Sequence, residues 1–317
     1  MLDATTGKID VHQHYFPPVK QDSATGGGWP VAAWTPDDAI SMMDEHAIAT
    51  AILSAPLPSV LTTDGSAPGL VRELNDYGAE VVKDRPDRFG LFAGLPLGAG
   101  LDTALAETEH AFDELSADGV FLFSNYNGTY LGEEQYLPLW EELNRRSAIV
   151  FIHPGTPPME LLRGLPGPVV DYPFDTTRVA VDLVRSGVVD RFDSLSLILA
   201  HAGGFLPYAA YRFAAILGKY PLSATTYDGP EDVLATMRRF YFDVALSSSP
   251  TSLPSLMAFA APDHVLYGSD WPPAASDDVT YFDTNLQEAT VLSEADKAAI
   301  LRHTAEGLFP RLEKTNR

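Results

Sequence analysis

The sequence predicts an α/β fold, a single (β/α)8 TIM barrel over residues 1–317, on three observations. First, eight short apolar runs recur along the 317 residues without alternating polar and apolar side chains. Such runs are typical of strands buried on both faces of a parallel sheet. Second, a segment with helical spacing of apolar residues follows each run. Third, no low-complexity linker or internal repeat divides the chain, and its length is ordinary for one such barrel.

The first unit begins with a strand over residues 8–14 and continues with a helix from Thr35 to Ala47. Thr35 is a good N-cap, and Pro36 suits the first helical position. Residues 15–34 form a loop insertion that we expect near the active site. Its triple glycine, Gly26–Gly28, is not followed by the Gly-Lys-Ser/Thr of a phosphate-binding loop.

The later units follow in the same order. Runs rich in Ile, Leu, Val and Phe predict the remaining strands over residues 50–54, 88–95, 119–123, 148–153, 195–201, 240–245 and 264–268. Amphipathic segments between them predict helices over residues 69–83, 101–115, 134–146, 176–186, 209–217 and 251–260, with further helices over 293–312.

The net charge and the composition exclude some classes of binding partner and ligand. The chain has 21 Lys and Arg against 43 Asp and Glu, a formal net charge of −22. This charge disfavours binding to nucleic acid and to anionic membrane surfaces. There are no cysteines, which excludes disulfides and thiolate metal ligands. We see neither a signal-peptide pattern nor an apolar run of about 20 residues, and therefore expect a cytoplasmic protein.

Five histidine and aspartate side chains fall at the carboxyl ends of predicted strands. His12 and His14 end the first strand and point to one side because they lie two residues apart. His153 ends the fifth strand, His201 ends the sixth, and Asp270 follows the eighth. Active sites of these barrels lie at that end of the strands. Converging imidazoles and a carboxylate predict a divalent metal site.

Other residues allow two interpretations. The remaining histidines (His46, His110, His264 and His303) lie on helices or at a strand start, and we interpret them as surface or packing residues. Asp243, inside the seventh strand, either orients His201 or makes a structural hydrogen bond. Phe16, Trp29 and Trp271 either form aromatic walls of a substrate pocket or pack against the scaffold.

Four motifs in this order resemble the amidohydrolase superfamily. They are Asp10-Val11-His12-Gln13-His14, His153-Pro154-Gly155, His201-Ala202-Gly203-Gly204 and Gly268-Ser269-Asp270-Trp271-Pro272. More narrowly, these motifs resemble the branch that contains aminocarboxymuconate-semialdehyde, γ-resorcylate and 6-methylsalicylate decarboxylases. The resemblance spans essentially the whole chain and implies a barrel of the metal-dependent hydrolase type.

The resemblance also implies a set of ligands. His12, His14, His153 and Asp270 would hold one divalent ion, Zn2+ or Mn2+, and His201 would lie beside it. Binuclear relatives carry a carboxylated lysine at the end of strand four, where this chain reads Phe121-Leu122-Phe123-Ser124-Asn125. The implied site is therefore mononuclear.

Arg212, eleven residues after His201, matches an arginine that reaches the substrate carboxylate of the neighbouring subunit in the aminocarboxymuconate-semialdehyde enzyme. The resemblance thus implies a homodimer, and a guanidinium suits carboxylate recognition. A surface salt bridge is the alternative. A second substrate arginine of that enzyme is replaced here by the segment Ala55–Ser59. This departure favours a monocarboxylic aromatic substrate.

The predicted activity is metal-dependent, non-oxidative decarboxylation of an aromatic or conjugated carboxylic acid, with a 6-methylsalicylate-like hydroxybenzoate as the most specific candidate. Asp270 would deliver the proton, and His201 would orient the substrate or relay that proton. The alternative is a metal-dependent hydrolase or hydratase that opens a lactone or ester at the same site. A catalytically silent scaffold is disfavoured because no member of the cluster is missing.

Overall fold

A computed structural model describes residues 7–17, 34–56, 67–220 and 222–313, and eight of its strands form one parallel sheet. In sheet order these strands are β1 (Lys8–His14), β2 (Ile48–Ser54), β3 (Phe89–Gly94), β4 (Gly119–Phe123), β7 (Ile149–His153), β8 (Ser196–Leu199), β9 (Tyr241–Asp243) and β10 (Val265–Leu266). A short antiparallel pair, β5 (Asn125–Tyr126) and β6 (Thr129–Tyr130), follows β4. Sequence order therefore equals spatial order, as in a (β/α)8 barrel.

The first strand and the segment after the last strand close the sheet. The backbone N–H of Val11 donates to the carbonyl of Tyr267 at 3.0 Å, and that of His14 donates to Trp271 at 2.7 Å. The N–H of Asp270 donates to the carbonyl of His12 at 2.7 Å. The predicted barrel is confirmed, and its closure places Asp270 directly beside the histidines of β1.

Helices follow the strands as predicted, with some differences in extent. They are α1 (Pro36–Glu45), α2 (Ala67–Asp84), α3 (Leu101–Glu109), α4 (Leu137–Arg145), α5 (Gly167–Arg185), α6 (Val188–Arg191), α7 (Leu206–Leu217), α8 (Pro230–Met237), α9 (Ser252–Phe259), α10 (Ser276–Glu288), α11 (Glu294–Ala298), α12 (Thr304–Leu308) and α13 (Pro310–Glu313). The Thr35 hydroxyl accepts from the N–H of Asp38 at 3.1 Å, which confirms the predicted N-cap.

Four helical segments differ most from the prediction. Helices α6, α8 and α10 were not predicted, and α5 begins at Gly167 rather than at residue 176. Pro173 lies inside α5, and an internal proline normally breaks a helix. Here Pro173 lines the cavity at the barrel mouth, and Thr177, one turn further along α5, accepts from the backbone N–H of Phe205 at 2.8 Å. Tertiary packing therefore outweighs the local penalty.

Aromatic side chains fill the barrel beneath the predicted site. Phe92 and Phe121 contact Phe151 with ring centroids 5.5 Å and 6.0 Å apart, and Phe151 contacts the ring of His12 at 4.8 Å. Water is thereby excluded from below, which strengthens electrostatic interactions at the site above. None of the described helices is long and apolar enough to cross a membrane.

Candidate active site

The five predicted polar side chains converge at the carboxyl end of the barrel. The Nε2 atoms of His12 and His14 lie 3.2 Å apart. Asp270 Oδ1 lies 3.2 Å from His12 Nε2 and 3.1 Å from His14 Nε2. One ligand atom each of His12, His153, His201 and Asp270 falls within 4.8 Å of the others. The structure thus brings together every residue predicted to bind the metal.

Three of the histidines present Nε2 to the centre because another group holds Nδ1. The partner is Asp243 Oδ2 for His12, Ser54 Oγ for His14, and the Pro154 carbonyl for His153, each 2.9 Å from Nδ1. A carboxylate or carbonyl accepts the Nδ1 proton and leaves the Nε2 lone pair free. This is the usual arrangement around metal-binding histidines.

Asp243 was predicted to orient His201 or to make a structural hydrogen bond, and among the described residues it makes no hydrogen bond with the His201 ring. Its Oδ2 faces His12, while its Oδ1 accepts from the backbone N–H of His201 at 3.0 Å. Asp243 therefore fixes the ring of His12 and the chain path of His201. Gly268 makes this contact possible, since a Cβ at residue 268 would lie 2.8 Å from His12 Cβ and 3.2 Å from Asp243 Cβ.

His201 differs from the other three histidines. Its Nε2 lies 3.1 Å from Asp270 Oδ2, and its buried Nδ1 has no hydrogen-bond partner among the described residues. Both residues have a left-handed backbone, with φ of 56° at His201 and 60° at Asp270. Non-glycine residues seldom adopt this conformation, and such strain concentrates at functional sites. His201 therefore lacks the fixed Nδ1 partner that orients the other three histidines.

The charges of the cluster suit a cation. Burial is the main factor that lowers the pKa of His14 and of His153, so both rings are neutral near pH 7. Burial alone would lower the pKa of His12 and raise the pKa of Asp270. The contacts of each side chain within the cluster have the opposite effect on its pKa and together are larger. Asp243 and Asp270 raise the pKa of His12 to about 10, and the charge of His12 together with contacts to His14 and His201 holds the pKa of Asp270 well below its ordinary value. A metal ion would displace the proton of His12.

The spacing of the donor atoms fits one ion. Asp270 Oδ1 is buried and receives no hydrogen bond of good geometry from the described residues. The Nε2 atoms of His12 and His14 face the same point at 3.1–3.2 Å from it. Bonds of 2.0–2.1 Å place two ligand atoms of one tetrahedral ion about 3.3 Å apart. The residues therefore fit a divalent cation.

A pocket of about 450 Å³ opens above this cluster. Its base is polar and is formed by His14, His153, His201 and Asp270. Its walls are mainly aromatic and aliphatic and include Phe16, Phe123, Val169, Tyr172, Phe205 and Leu246. None of the described lining residues is Lys or Arg.

The predicted substrate contacts have different outcomes. Phe16 lines the pocket, as predicted. Trp271 does not line it; the ring is partly buried against the core, because residue 271 pairs with Gln13 at the barrel closure. Arg212 is exposed on α7 and does not line the pocket of its own chain. Trp29 and most of the predicted 15–34 loop lie outside the described residues.

Several residues of the site were missed by sequence reasoning. Ser54 ends β2, so its strand-end position was an available signal. Tyr172 carried no comparable signal, because the helix that contains it was expected to begin at residue 176. Phe205 lies just before α7, between a predicted strand and a predicted helix, where the sequence pattern gave no signal.

The fold and the site together define the class of protein. An eight-stranded barrel that carries a His/Asp cluster at the carboxyl ends of its strands is typical of the metal-dependent hydrolases. Consistent with this class, residues 9–311 match the amidohydrolase family, and the chain belongs to that family. The family resemblance noted in the sequence is thereby confirmed.

Named relatives narrow the comparison. The chain is 41% identical to decarboxylase yanB of Aspergillus niger, over 96% of this chain and 88% of that protein. It is 40% identical to the 6-methylsalicylic acid decarboxylase of Penicillium expansum, over 96% of this chain and 97% of that protein. The crystal structure of a dihydroxybenzoic acid decarboxylase from Polaromonas, with bound manganese and the inhibitor 2-nitroresorcinol, matches with a TM-score of 0.78. That pair is 25% identical and is aligned over 98% of each chain.

Proposed function

We propose that this protein catalyses metal-dependent, non-oxidative decarboxylation of a hydroxylated aromatic carboxylic acid, with 6-methylsalicylate as the best candidate substrate. The observation that carries the proposal is the buried His/Asp cluster at the base of a pocket with aromatic walls. The relatives named decarboxylases support the reaction type, and the 6-methylsalicylic acid decarboxylase supports the substrate.

The lining of the pocket supports a role for a bound cation. A carboxylate that enters an apolar pocket loses hydration and must be compensated by a nearby positive charge. No Lys or Arg among the described lining residues could supply one. We infer that His12, His14, His153 and Asp270 hold one divalent ion, Zn2+ or Mn2+. When bound, this ion would attract the carboxylate and an adjacent phenolic oxygen and withdraw electron density from the ring.

The ligand types suit zinc and manganese alike. Manganese in the related dihydroxybenzoic acid decarboxylase supports manganese here.

The walls select for a flat ring. Phe16, Phe123, Tyr172 and Phe205 surround the space above the polar base. The volume of about 450 Å³ lies at the low end of small-molecule sites, which span about 300–1,000 Å³. One substituted benzene ring matches this space better than a fused or extended substrate.

The proton that replaces the carboxylate on the ring would come from Asp270, which lies in contact with His201. In the reaction, the carbon that bears the carboxylate gains a proton, its bond to the carboxylate breaks, and those electrons return to the ring as carbon dioxide leaves. Asp270 lines the base of the pocket, so its carboxyl group can carry a proton to the ring carbon of a bound substrate. Asp270 would deliver that proton, and His201, 3.1 Å away, would return one to Asp270 for the next turnover.

We further propose a homodimer in which Arg212 serves the neighbouring site. Arg212 lies on the exposed face of α7 with Tyr208 and Tyr211, which are 84% and 62% exposed. Because Arg212 does not line its own pocket, it would contact a substrate only across an interface between two copies.

To test the activity, 6-methylsalicylate is incubated with manganese-loaded or zinc-loaded protein. The expected products, carbon dioxide and 3-methylphenol, are then measured. In heavy water we expect one deuterium at the carbon that carried the carboxylate. Asp270→Asn should abolish release, whereas Asp277→Asn, an exposed change on α10, should not. Metal content is measured for each variant. Metal-loaded protein that opens lactones and releases no carbon dioxide from hydroxybenzoates would contradict the proposal and support the hydrolase alternative.

A further inference from the structure

A buried carboxylate outside the metal cluster joins three segments near the barrel mouth. Asp175 on α5 is fully buried. Its Oδ2 accepts from the Ser124 hydroxyl and, at 2.9 Å, from Asn125 Nδ2. Its Oδ1 accepts from the Tyr130 hydroxyl at 2.5 Å, and Arg178 Nη1 lies 3.9 Å from Oδ1. Asp175 is therefore satisfied mainly by neutral donors at the end of β4 and in the β5–β6 pair.

Ser124 connects this carboxylate to the segment after β7. A carboxylate only accepts hydrogen bonds, so the hydroxyl proton of Ser124 is directed to Asp175. The lone pairs of Ser124 Oγ are then free, and one accepts from the N–H of Gly155 at 2.8 Å. The backbone N–H of Ser124 also donates to the carbonyl of His153 at 2.8 Å.

The peptide between Pro154 and Gly155 is held at both ends. Its N–H donates to Ser124 Oγ, and its carbonyl accepts from His153 Nδ1 at 2.9 Å. A peptide unit is planar, so the direction of the N–H sets the direction of the carbonyl. The carbonyl in turn sets the rotation of the His153 ring, whose Nε2 faces the cluster. A continuous chain of contacts thus runs from Asp175 to a proposed metal ligand.

We propose that Asp175, acting through Ser124 and the Pro154–Gly155 peptide, is a positioning residue that orients His153 for metal binding. The proposal rests on the metal site of the proposed function. It concerns the affinity and geometry of that site rather than the chemistry of the substrate. Without Asp175, the Ser124 hydroxyl can rotate, the peptide loses its fixed plane, and the imidazole of His153 samples orientations that do not bind the ion.

The test measures metal binding directly, with Mn2+ and Co2+ as probes. Asp175→Asn and Ser124→Ala are each titrated with Mn2+ against a competing chelator, and the visible absorption of the Co2+ forms is recorded. We expect each change to weaken metal affinity about tenfold or more and to alter the Co2+ spectrum. Because the two residues act in series, the double variant should resemble the single ones rather than show their sum.

Asp190→Asn is the matched control. Asp190 accepts from the Tyr227 hydroxyl at 2.7 Å and the Thr236 hydroxyl at 2.8 Å, so its loss also breaks hydrogen bonds of a carboxylate with tyrosine. Asp190→Asn should lower Tm while leaving metal affinity unchanged. Ser124→Ala removes only a hydroxyl, so it tests the proposal even where Asp175→Asn does not fold.

Unchanged Mn2+ affinity and an unchanged Co2+ spectrum in Ser124→Ala would overturn the positioning role. Metal binding is measured without substrate, so a wild-type protein that binds Mn2+ but releases no carbon dioxide contradicts only the proposed function. A wild-type protein that binds neither Mn2+ nor Co2+ contradicts both.

Discussion

His201 Nε2 lies 3.1 Å from Asp270 Oδ2, and both residues adopt left-handed backbone conformations. One follows β8 and the other follows β10, so the contact exists only because the barrel brings these strand ends together. In contrast to His12, His14 and His153, His201 has no partner on Nδ1 among the described residues. This difference in hydrogen bonding separates His201, the proposed proton carrier, from the three histidines of the proposed metal-ligand set.

This separation predicts different effects of two substitutions. His201→Asn should lower kcat by about 10²–10⁴-fold, the usual contribution of a general acid or base, while keeping one equivalent of metal. Asparagine tolerates positive φ, so the backbone at residue 201 should be retained. His12→Asn should lose the metal itself. Elemental analysis and kinetics of both variants distinguish a proton-transfer role from a metal-binding role. Loss of metal from His201→Asn would show that His201 is a metal ligand.

Removal of the metal should abolish activity and lower Tm. The chelated protein keeps the buried cluster but loses the free energy of binding, and an ion at 100 times its Kd adds about 2.7 kcal/mol to the free energy of unfolding. Calorimetry with and without chelator, followed by addition of Mn2+ or Zn2+, measures the effect. A Tm that does not respond to chelator and metal would argue against a metal bound in the cluster.

Asp243→Asn should weaken metal binding by about 10–100-fold, the usual cost of losing a partner of a metal-binding histidine. Asp243 accepts from His12 Nδ1 at 2.9 Å and raises the pKa of His12. An amide can present a donor instead, which no longer holds Nε2 toward the centre. Chelator competition provides the measurement. Asp44→Asn, which removes an exposed partner of Arg88, is the control expected to bind metal normally.

Gly268→Ala should damage the site through packing alone. The added Cβ would lie 2.8 Å from His12 Cβ, which forces His12 and Asp243 apart. Overpacking of this kind typically costs about 1–3 kcal/mol, and metal affinity should fall as well. Gly69→Ala in α2 meets no atom within 4 Å and should leave both quantities unchanged or slightly raise stability. Denaturant unfolding and metal titration of the two variants test the contrast.

Mixing two inactive variants tests the proposed dimer. If Arg212 of the partner subunit completes each site, a mixture of Arg212→Ala and Asp270→Asn regains activity, because each mixed dimer contains one intact site. If Arg212 acts within its own subunit or only on the surface, mixing restores nothing beyond the activity of Arg212→Ala alone. Light scattering after gel filtration establishes the oligomeric state, and a monomer would remove the basis for the cross-subunit role.

The sequence by itself determined the barrel and the members of the cluster. Apolar runs such as β7 and β8 are local signals, because a strand buried on both faces must be apolar along its length. The histidines and Asp270 were found by position, since carboxyl ends of parallel strands share one rim. Neither inference required knowing which side chains touch.

The tertiary structure decided how those groups are held and what surrounds them. The contact of His12 with Asp243 joins residues 231 positions apart, and the contact of His14 with Ser54 joins two strands. The turn of α5 around Pro173 contradicts local propensity and is explained by packing over the pocket. For Trp271 the sequence left a pocket wall and scaffold packing open, and at the barrel closure this side chain packs against the core. Residue type and spacing report local preference, whereas the partner of a buried polar atom depends on how distant segments pack around the closed barrel.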